Sequence, residues 1–146
     1  LQNVVQSALQ LLRSDGIDPT VVQLLASANY QVAALPTGVL GVTYTDTASI
    51  LISADAAGNG WFTDASAQSN AEFVNDQALP GTAAAGHADL LTTVLHEMGH
   101  LAGRPDVTNS FNPYDLMEQV LPNGMRRLDA LDQVFAASAS SNGLSF

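Results

Sequence analysis

The sequence contains neither cysteine nor lysine among its 146 residues. Without cysteine, no disulfide and no thiolate metal site can form. Positive charge is scarce as well, because four arginines stand against 14 acidic residues and the formal net charge is −10. A chain this negative repels nucleic-acid phosphates and anionic membrane surfaces. We therefore expect it to bind neither nucleic acid nor membrane.

Long apolar runs are missing too. No stretch reaches the length of a transmembrane helix, and no signal-peptide pattern is present. The chain starts at Leu1 rather than at methionine, and we expect it to be a processed piece of a larger exported protein. Its length and 47% hydrophobic content predict one globular domain over residues 1–146, with a flexible tail at 139–146 and a monomeric state.

Local patterns predict the order of helices and strands. Residues 3–13 carry apolar side chains at helical spacing, and a second short helix is predicted to start at the Asp18–Pro19 pair. Three short segments rich in Val, Ile and Leu, residues 30–35, 38–44 and 49–54, predict a small sheet. Residues 55–86 are loop-like, and helices are predicted at 89–102 and 126–137. This order indicates an α+β fold.

The most informative segment is "HEMGH" at residues 96–100. Residues four apart on a helix differ by about 40° in direction and about 6 Å in rise, so His96 and His100 can hold one ion. Glu97 points about 100° away from His96 and can reach a water molecule on that ion. Two histidines on zinc with a glutamate as general base is the arrangement that metalloproteases use.

A third zinc ligand is needed, and no histidine follows His100. Gly103 can adopt positive φ and end the helix sharply, and Pro105 stiffens the segment that follows. Asp106, six residues after His100, can then return to the ion and offer a carboxylate oxygen. We predict Asp106 as the third ligand, with Asp115 as the next candidate.

The resulting string, H-E-x-x-H-x-x-G-x-x-D, resembles the metzincin signature with Asp in the last place. The Asp-ended form is similar to that of snapalysin-type peptidases, and the whole chain looks like the matrixin-like domains of large bacterial surface proteins. The resemblance implies a zincin fold with a small twisted sheet, an active-site helix, a Met-turn and a C-terminal helix. It also implies that Met117 supports the floor of the metal site, and that the protein is extracellular or at the cell surface.

The resemblance further implies how substrate binds and where this chain departs from its family. Metzincins bind extended polypeptide along an edge strand, for which Ile50–Ala54 and the segment at Trp61 and Phe62 are candidates. Astacin-like and serralysin-like members carry a tyrosine two residues after the methionine, where this chain has Gln119. Tyr114 is not equivalent to it, and we expect a packing residue there.

Two further features lie outside this motif and contain residue types that bind metals. Asp55, Asn59 and Asp64 lie in a glycine-interrupted loop that offers the oxygen ligands calcium prefers, although the spacing is not that of an EF-hand. The alternative interpretation is that this loop is a tight turn beside an edge strand and binds no calcium. His87 comes nine residues before His96 and is expected to be a surface residue outside the metal site.

Together these residues predict a zinc-dependent endopeptidase that uses Glu97 as its general base. Two other classes stay open: a zinc hydrolase of esters or other non-peptide acyl bonds, and a surface-protein domain that binds a partner and has incidental catalysis. The intact Glu97 argues against the binding domain.

Overall fold

The computed structural model describes residues 1–108, 115–129 and 131–135. Within these ranges the protein is a mixed α+β structure with several helices and small sheets, as the sequence predicted. No helix among the described residues is long and apolar enough to cross a membrane. The predicted tail at 139–146 and Tyr114 lie outside the described residues.

The first two helices form where the sequence predicted them. Helix α1 spans Gln2–Ser14 and buries its apolar face, and α2 spans Pro19–Ala26. The Asp18 side chain accepts a hydrogen bond from the Thr20 N–H at 2.8 Å and caps α2.

The main sheet has three strands: β1 at Asn29–Ala33, β2 at Gly41–Tyr44 and β3 at Ser49–Ser53. Strand β3 is central, with β1 parallel on one side and β2 antiparallel on the other. The prediction that Ile50–Ala54 forms a substrate-binding edge is therefore wrong, because both edges of β3 are already paired. Its buried Ile50 and Ile52 belong to the core, and the edge strands of this sheet are β1 and β2.

The region predicted as a loop, 55–86, contains short regular elements. Strand β4 (Trp61–Phe62) is followed by a 3₁₀ helix at Ala67–Glu72 and by a two-residue hairpin of β5 (Phe73–Val74) and β6 (Gln77–Ala78). Strand β4 pairs in parallel with β7 (Ala88–Asp89), which immediately precedes the next helix. These elements are too short to give a periodic signal in the sequence.

Helix α3 spans Leu90–Leu101 and forms the centre of the fold. Asp89 is its N-cap and accepts a hydrogen bond from the Thr92 N–H at 3.3 Å. Apolar side chains on several sides of the helix are buried against α1 and the sheet, among them Leu91, Val94, Leu95 and Met98. A helix enclosed in this way holds its polar residues in fixed positions.

The predicted C-terminal helix at 126–137 begins later than expected. Helical structure is present at residues 131–135, whereas 126–128 are not helical. Arg126 and Arg127 are 3% and 2% exposed, and their backbone N–H groups donate to Asp76 O and Thr92 Oγ1. These long-range hydrogen bonds replace the helical pattern that the local sequence favours.

Candidate metal centre

Two histidines on α3 converge on one point. The Nε2 atoms of His96 and His100 are 3.1 Å apart, and the two rings stand at 88° to each other. The Nδ1 atom of His96 lies 2.7 Å from Leu116 O, and that of His100 lies 2.8 Å from Arg104 O. Because a carbonyl oxygen only accepts, both Nδ1 atoms carry the proton. In the neutral rings both Nε2 lone pairs are then free to bind a metal.

The chain returns to these histidines through a tight turn at the end of α3. Gly103 has φ +100°, its N–H donates to His100 O, and the Arg104 N–H donates to Gly99 O. This pair of bonds is a Schellman motif, which requires a residue with positive φ at the glycine position. Asp106 follows, and its Oδ1 lies 3.0 Å from both Nε2 atoms.

Three ligand atoms, one from each of His96, His100 and Asp106, therefore form a triangle with sides of 3.0–3.1 Å. Zinc bound tetrahedrally at about 2.0–2.1 Å spaces its ligand atoms by about 3.3 Å, so these residues fit a zinc ion closely. Two free lone pairs and a carboxylate at such short range repel one another unless a cation or protons lie between them. The donor set and its spacing could therefore hold a metal ion.

Asp115 and Met117 belong to a segment that supports this triangle. The Asp115 Oδ1 accepts a hydrogen bond from the Met117 N–H at 2.9 Å. The carboxylate of Asp115, the alternative third ligand, therefore stabilises its own turn. Val107, next to Asp106, donates its N–H to Met117 O at 2.7 Å and accepts the Gln119 N–H. The segment thereby holds Asp106 in place and provides Leu116 O for His96.

Met117 packs beneath α3 at Gly99. Its side chain is buried, and a Cβ placed on Gly99 would come within 2.5 Å of the Met117 Sδ. Glycine in the fourth position of "HEMGH" therefore leaves room for the methionine. The family resemblance implied a supporting role for Met117, whereas no local pattern indicated why residue 99 is glycine.

Glu97 lies beside the triangle and is 5% exposed. One of its carboxylate oxygens lies within 4.8 Å of a ring nitrogen of each histidine. Its Oε2 accepts a hydrogen bond from Thr43 Oγ1 at 2.7 Å. A Cβ on Gly41 would lie 2.9 Å from the Glu97 Cγ, so the edge strand approaches closely at a glycine.

A cleft of about 970 Å³ contains this constellation. The segment 37–43, which includes most of β2, lines the cleft, and so do residues 116 and 118–121. Helix α3 contributes its two histidines and Glu97 to the lining. Trp61 and Phe62 do not line this cleft, so the second candidate for a substrate strand lies elsewhere.

In the candidate calcium loop, the three side chains each form a hydrogen bond with a different residue. Asp55 Oδ1 accepts from Ser53 Oγ, Asn59 Oδ1 accepts from Asn123, and Asp64 Oδ1 accepts the Ser66 N–H. Calcium binding there stays a prediction, and the contacts within the protein account for these side chains without it. His87 is exposed and lies before β7 rather than on the helix.

A buried ion pair fixes the N-terminal end of α3. Both oxygens of Asp89 accept hydrogen bonds of 2.9 Å from the Arg126 guanidinium, whose central carbon lies 5.3 Å from the ring centroid of Phe62 and 4.8 Å from that of Phe73. Ser69, Asn70 and the Asp64 carbonyl accept its remaining hydrogen bonds. The network joins the 3₁₀ helix, β4 and the segment at 126 to the start of the site helix.

No family model matches the chain, and neither a curated protein nor a solved structure is found to be similar to it.

Proposed function

We propose that the protein is a zinc-dependent endopeptidase of the metzincin type. The observation that carries the proposal is the buried Glu97 carboxylate, held by Thr43 beside a triangle of two imidazole nitrogens and one carboxylate oxygen. A metal site with a positioned carboxylate base is the arrangement that metal-assisted hydrolysis requires.

His96, His100 and Asp106 would hold the zinc ion, which when bound polarises the scissile carbonyl and makes water more acidic. Glu97 accepts the proton of the attacking water and then donates it to the departing amine nitrogen. The Thr43 hydroxyl fixes one carboxylate oxygen and leaves the other, Oε1, for this transfer. Leu116 O and Arg104 O keep both imidazole rings in the tautomer that leaves Nε2 unprotonated.

Strand β2 supports a peptide as substrate rather than a small ester. Among the described residues its only strand partner is β3, so the backbone of its outer edge is available. Gly41, Val42 and Thr43 of this strand line the cleft. An extended peptide can add to such an edge and place its scissile bond beside Glu97.

The test is digestion of a peptide library by the zinc-loaded protein, by the chelated protein and by Glu97→Gln. We expect the wild type to cleave peptides and to lose activity on chelation. Glu97→Gln keeps the side-chain size and an oxygen for the Thr43 hydroxyl, so it should retain zinc and lose turnover about 10²-fold or more.

Metal analysis of the same preparations distinguishes the alternatives. Two histidines and a carboxylate also bind iron(II) in oxygenases, so a preference for iron without any hydrolysis would refute the proposal. Ester substrates tested in parallel separate a peptidase from a general acyl hydrolase. If the zinc-loaded wild type cleaves esters but no peptide, the protein is an acyl hydrolase rather than a peptidase.

A further inference from the structure

The cleft extends along α3 beyond the metal centre. From His96 it follows the helix towards its N-terminal end, where Thr92 and Thr93 line it. Thr92 lies one helical turn before His96 and therefore on the same face. Arg127 lines this inner arm of the cleft as well. The inner arm thus combines polar threonines with a single arginine.

Arg127 is buried without a full set of partners. Its side chain is among the largest fully buried ones in the described residues, yet it forms no ion pair with any described carboxylate. Two of its nitrogens donate to carbonyls, Nη2 to Val120 O at 2.8 Å and Nη1 to Glu118 O at 3.4 Å. Its Nε–H is buried and has no acceptor in the described part of the chain.

The neighbouring Arg126 shows what a fully satisfied guanidinium looks like in this protein. It is equally buried, but each of its three nitrogens has an acceptor, and Asp89 neutralises its charge. A buried, unpaired cation is costly, and an unsatisfied buried N–H adds to that cost. The difference between the two arginines is therefore that Arg127 still requires an acceptor beyond those that the described residues provide.

We propose that Arg127 selects peptide substrates with a carboxylate side chain, Asp or Glu, at the position whose side chain enters the inner arm. This inference rests on the proposed peptidase function. The planar guanidinium offers N–H donors in the geometry that a carboxylate accepts, and the low-dielectric wall strengthens that contact. Thr92 and Thr93 line the remainder of the arm.

The acidic groups around Arg127 act on it from a distance. Burial lowers the pKa of the Arg127 guanidinium, while the charges of Glu118, Asp115 and Asp76 raise it. Arginine stays protonated in spite of this burial. These carboxylates disfavour an acidic substrate in the cleft as a whole, so the selection depends on short-range hydrogen bonds to Arg127 rather than on the net field.

The first experiment uses the wild-type protein alone. Peptides from the library digest are synthesised in matched pairs, Asp against Asn and Glu against Gln, at each position that flanks the cleaved bond. At one position kcat/KM should be about 10- to 100-fold higher for the acid than for the amide, which is the effect of losing a hydrogen bond to a charged group. Equal rates for acid and amide at every position would overturn the inference.

Variants then test Arg127 itself. Arg127→Met should remove the preference for the acid. Arg127→Lys should retain part of it, because lysine keeps the positive charge but lacks the planar set of N–H donors that can bind a carboxylate with two hydrogen bonds. Arg13→Met removes the same charge from the exposed end of α1 and should leave the acid-to-amide ratio unchanged. If Arg127→Met lowers both rates equally, Arg127 only pins the segment 118–120 and the inference fails.

The two proposals fail in different ways. If zinc-loaded wild type cleaves no peptide at all, the peptidase proposal falls and the specificity inference falls with it. If peptides are cleaved in a zinc-dependent manner without any preference for Asp or Glu, the peptidase proposal stands and only the role of Arg127 is refuted.

Discussion

Thr43 is the residue that most directly determines where the Glu97 carboxylate lies. Its hydroxyl is 2.7 Å from Glu97 Oε2 and 3.0 Å from the Glu97 backbone carbonyl. Thr43→Val removes this donor without changing the side-chain volume, so we expect kcat to fall about 10-fold while zinc affinity stays near wild type.

Thr43→Ser is the matched control, because it keeps the hydroxyl and should retain most of the activity. The measurement is the steady-state kinetics of both variants, with the zinc content determined on the same samples. Equal activity of the valine and serine variants would show that the hydroxyl does not position Glu97.

The sequence predicts the proposed metal ligands and Glu97 better than it predicts the residues that orient them. His96, Glu97 and His100 share one helix turn, so their relative directions follow from helix geometry. Asp106 follows from the turn that Gly103 permits. Thr43 and Leu116 lie 54 and 20 residues from their partners, and no local spacing could have revealed those contacts.

Among the elements, α3 depends on its N-terminal anchor. Asp89 both caps the helix and pairs with Arg126 in a site where both side chains are at most 3% exposed. Asp89→Ala leaves the buried guanidinium without its counter-ion, and we expect it to cost roughly 3–5 kcal/mol of unfolding free energy.

Asp18→Ala provides the comparison, because Asp18 caps α2 at an exposed position and forms no ion pair with any described residue. An N-cap alone is worth about 1 kcal/mol, and this variant should lose no more than that. Urea unfolding of both variants measures the difference. Similar losses would mean that Asp89 acts as a cap and that its pairing with Arg126 adds nothing.

Local signals explain which elements the sequence could predict. They are apolar periodicity, an Asp–Pro start and runs rich in Val, Ile and Leu, and they are present in α1, α2, α3 and the three main strands. The start of the C-terminal helix was predicted too early because Arg126 and Arg127 form contacts with residues far away in the chain. In that segment long-range hydrogen bonds outweigh local helix propensity.

At the scale of the whole molecule, stability should depend on pH through Asp76. Burial, and then a hydrogen bond and the charge of Asp129, raise the pKa of Asp76 from 3.8 to about 6, although Arg127 opposes the shift. Between pH 4 and 6 the folded state therefore binds a proton more tightly than the unfolded chain does. This contribution to stability is fully present below pH 4 and is lost as the pH rises through 6.

Asp76→Asn imitates the protonated carboxyl, and asparagine tolerates the φ of +67° at this position. We expect the variant to match the wild type near pH 4 and to exceed it at pH 7 by about 1 kcal/mol or less, since solvent screens this partly exposed group. Thermal melts across this pH range, with the exposed Asp132→Asn as control, test the expectation. A constant difference between wild type and variant at all pH values would contradict it.

The most direct test of the account is zinc titration against a competing chelator, because the proposed chemistry requires that His96, His100 and Asp106 bind one ion. We predict one zinc per chain in the wild type. Asp106→Ala should weaken binding by more than the roughly 10- to 100-fold that loss of an outer-shell partner costs. His87→Ala, which removes the one histidine outside the triangle, should bind zinc as the wild type does. Equal zinc affinity of the wild type and Asp106→Ala, or weaker binding by His87→Ala, would contradict the assignment of the ligands.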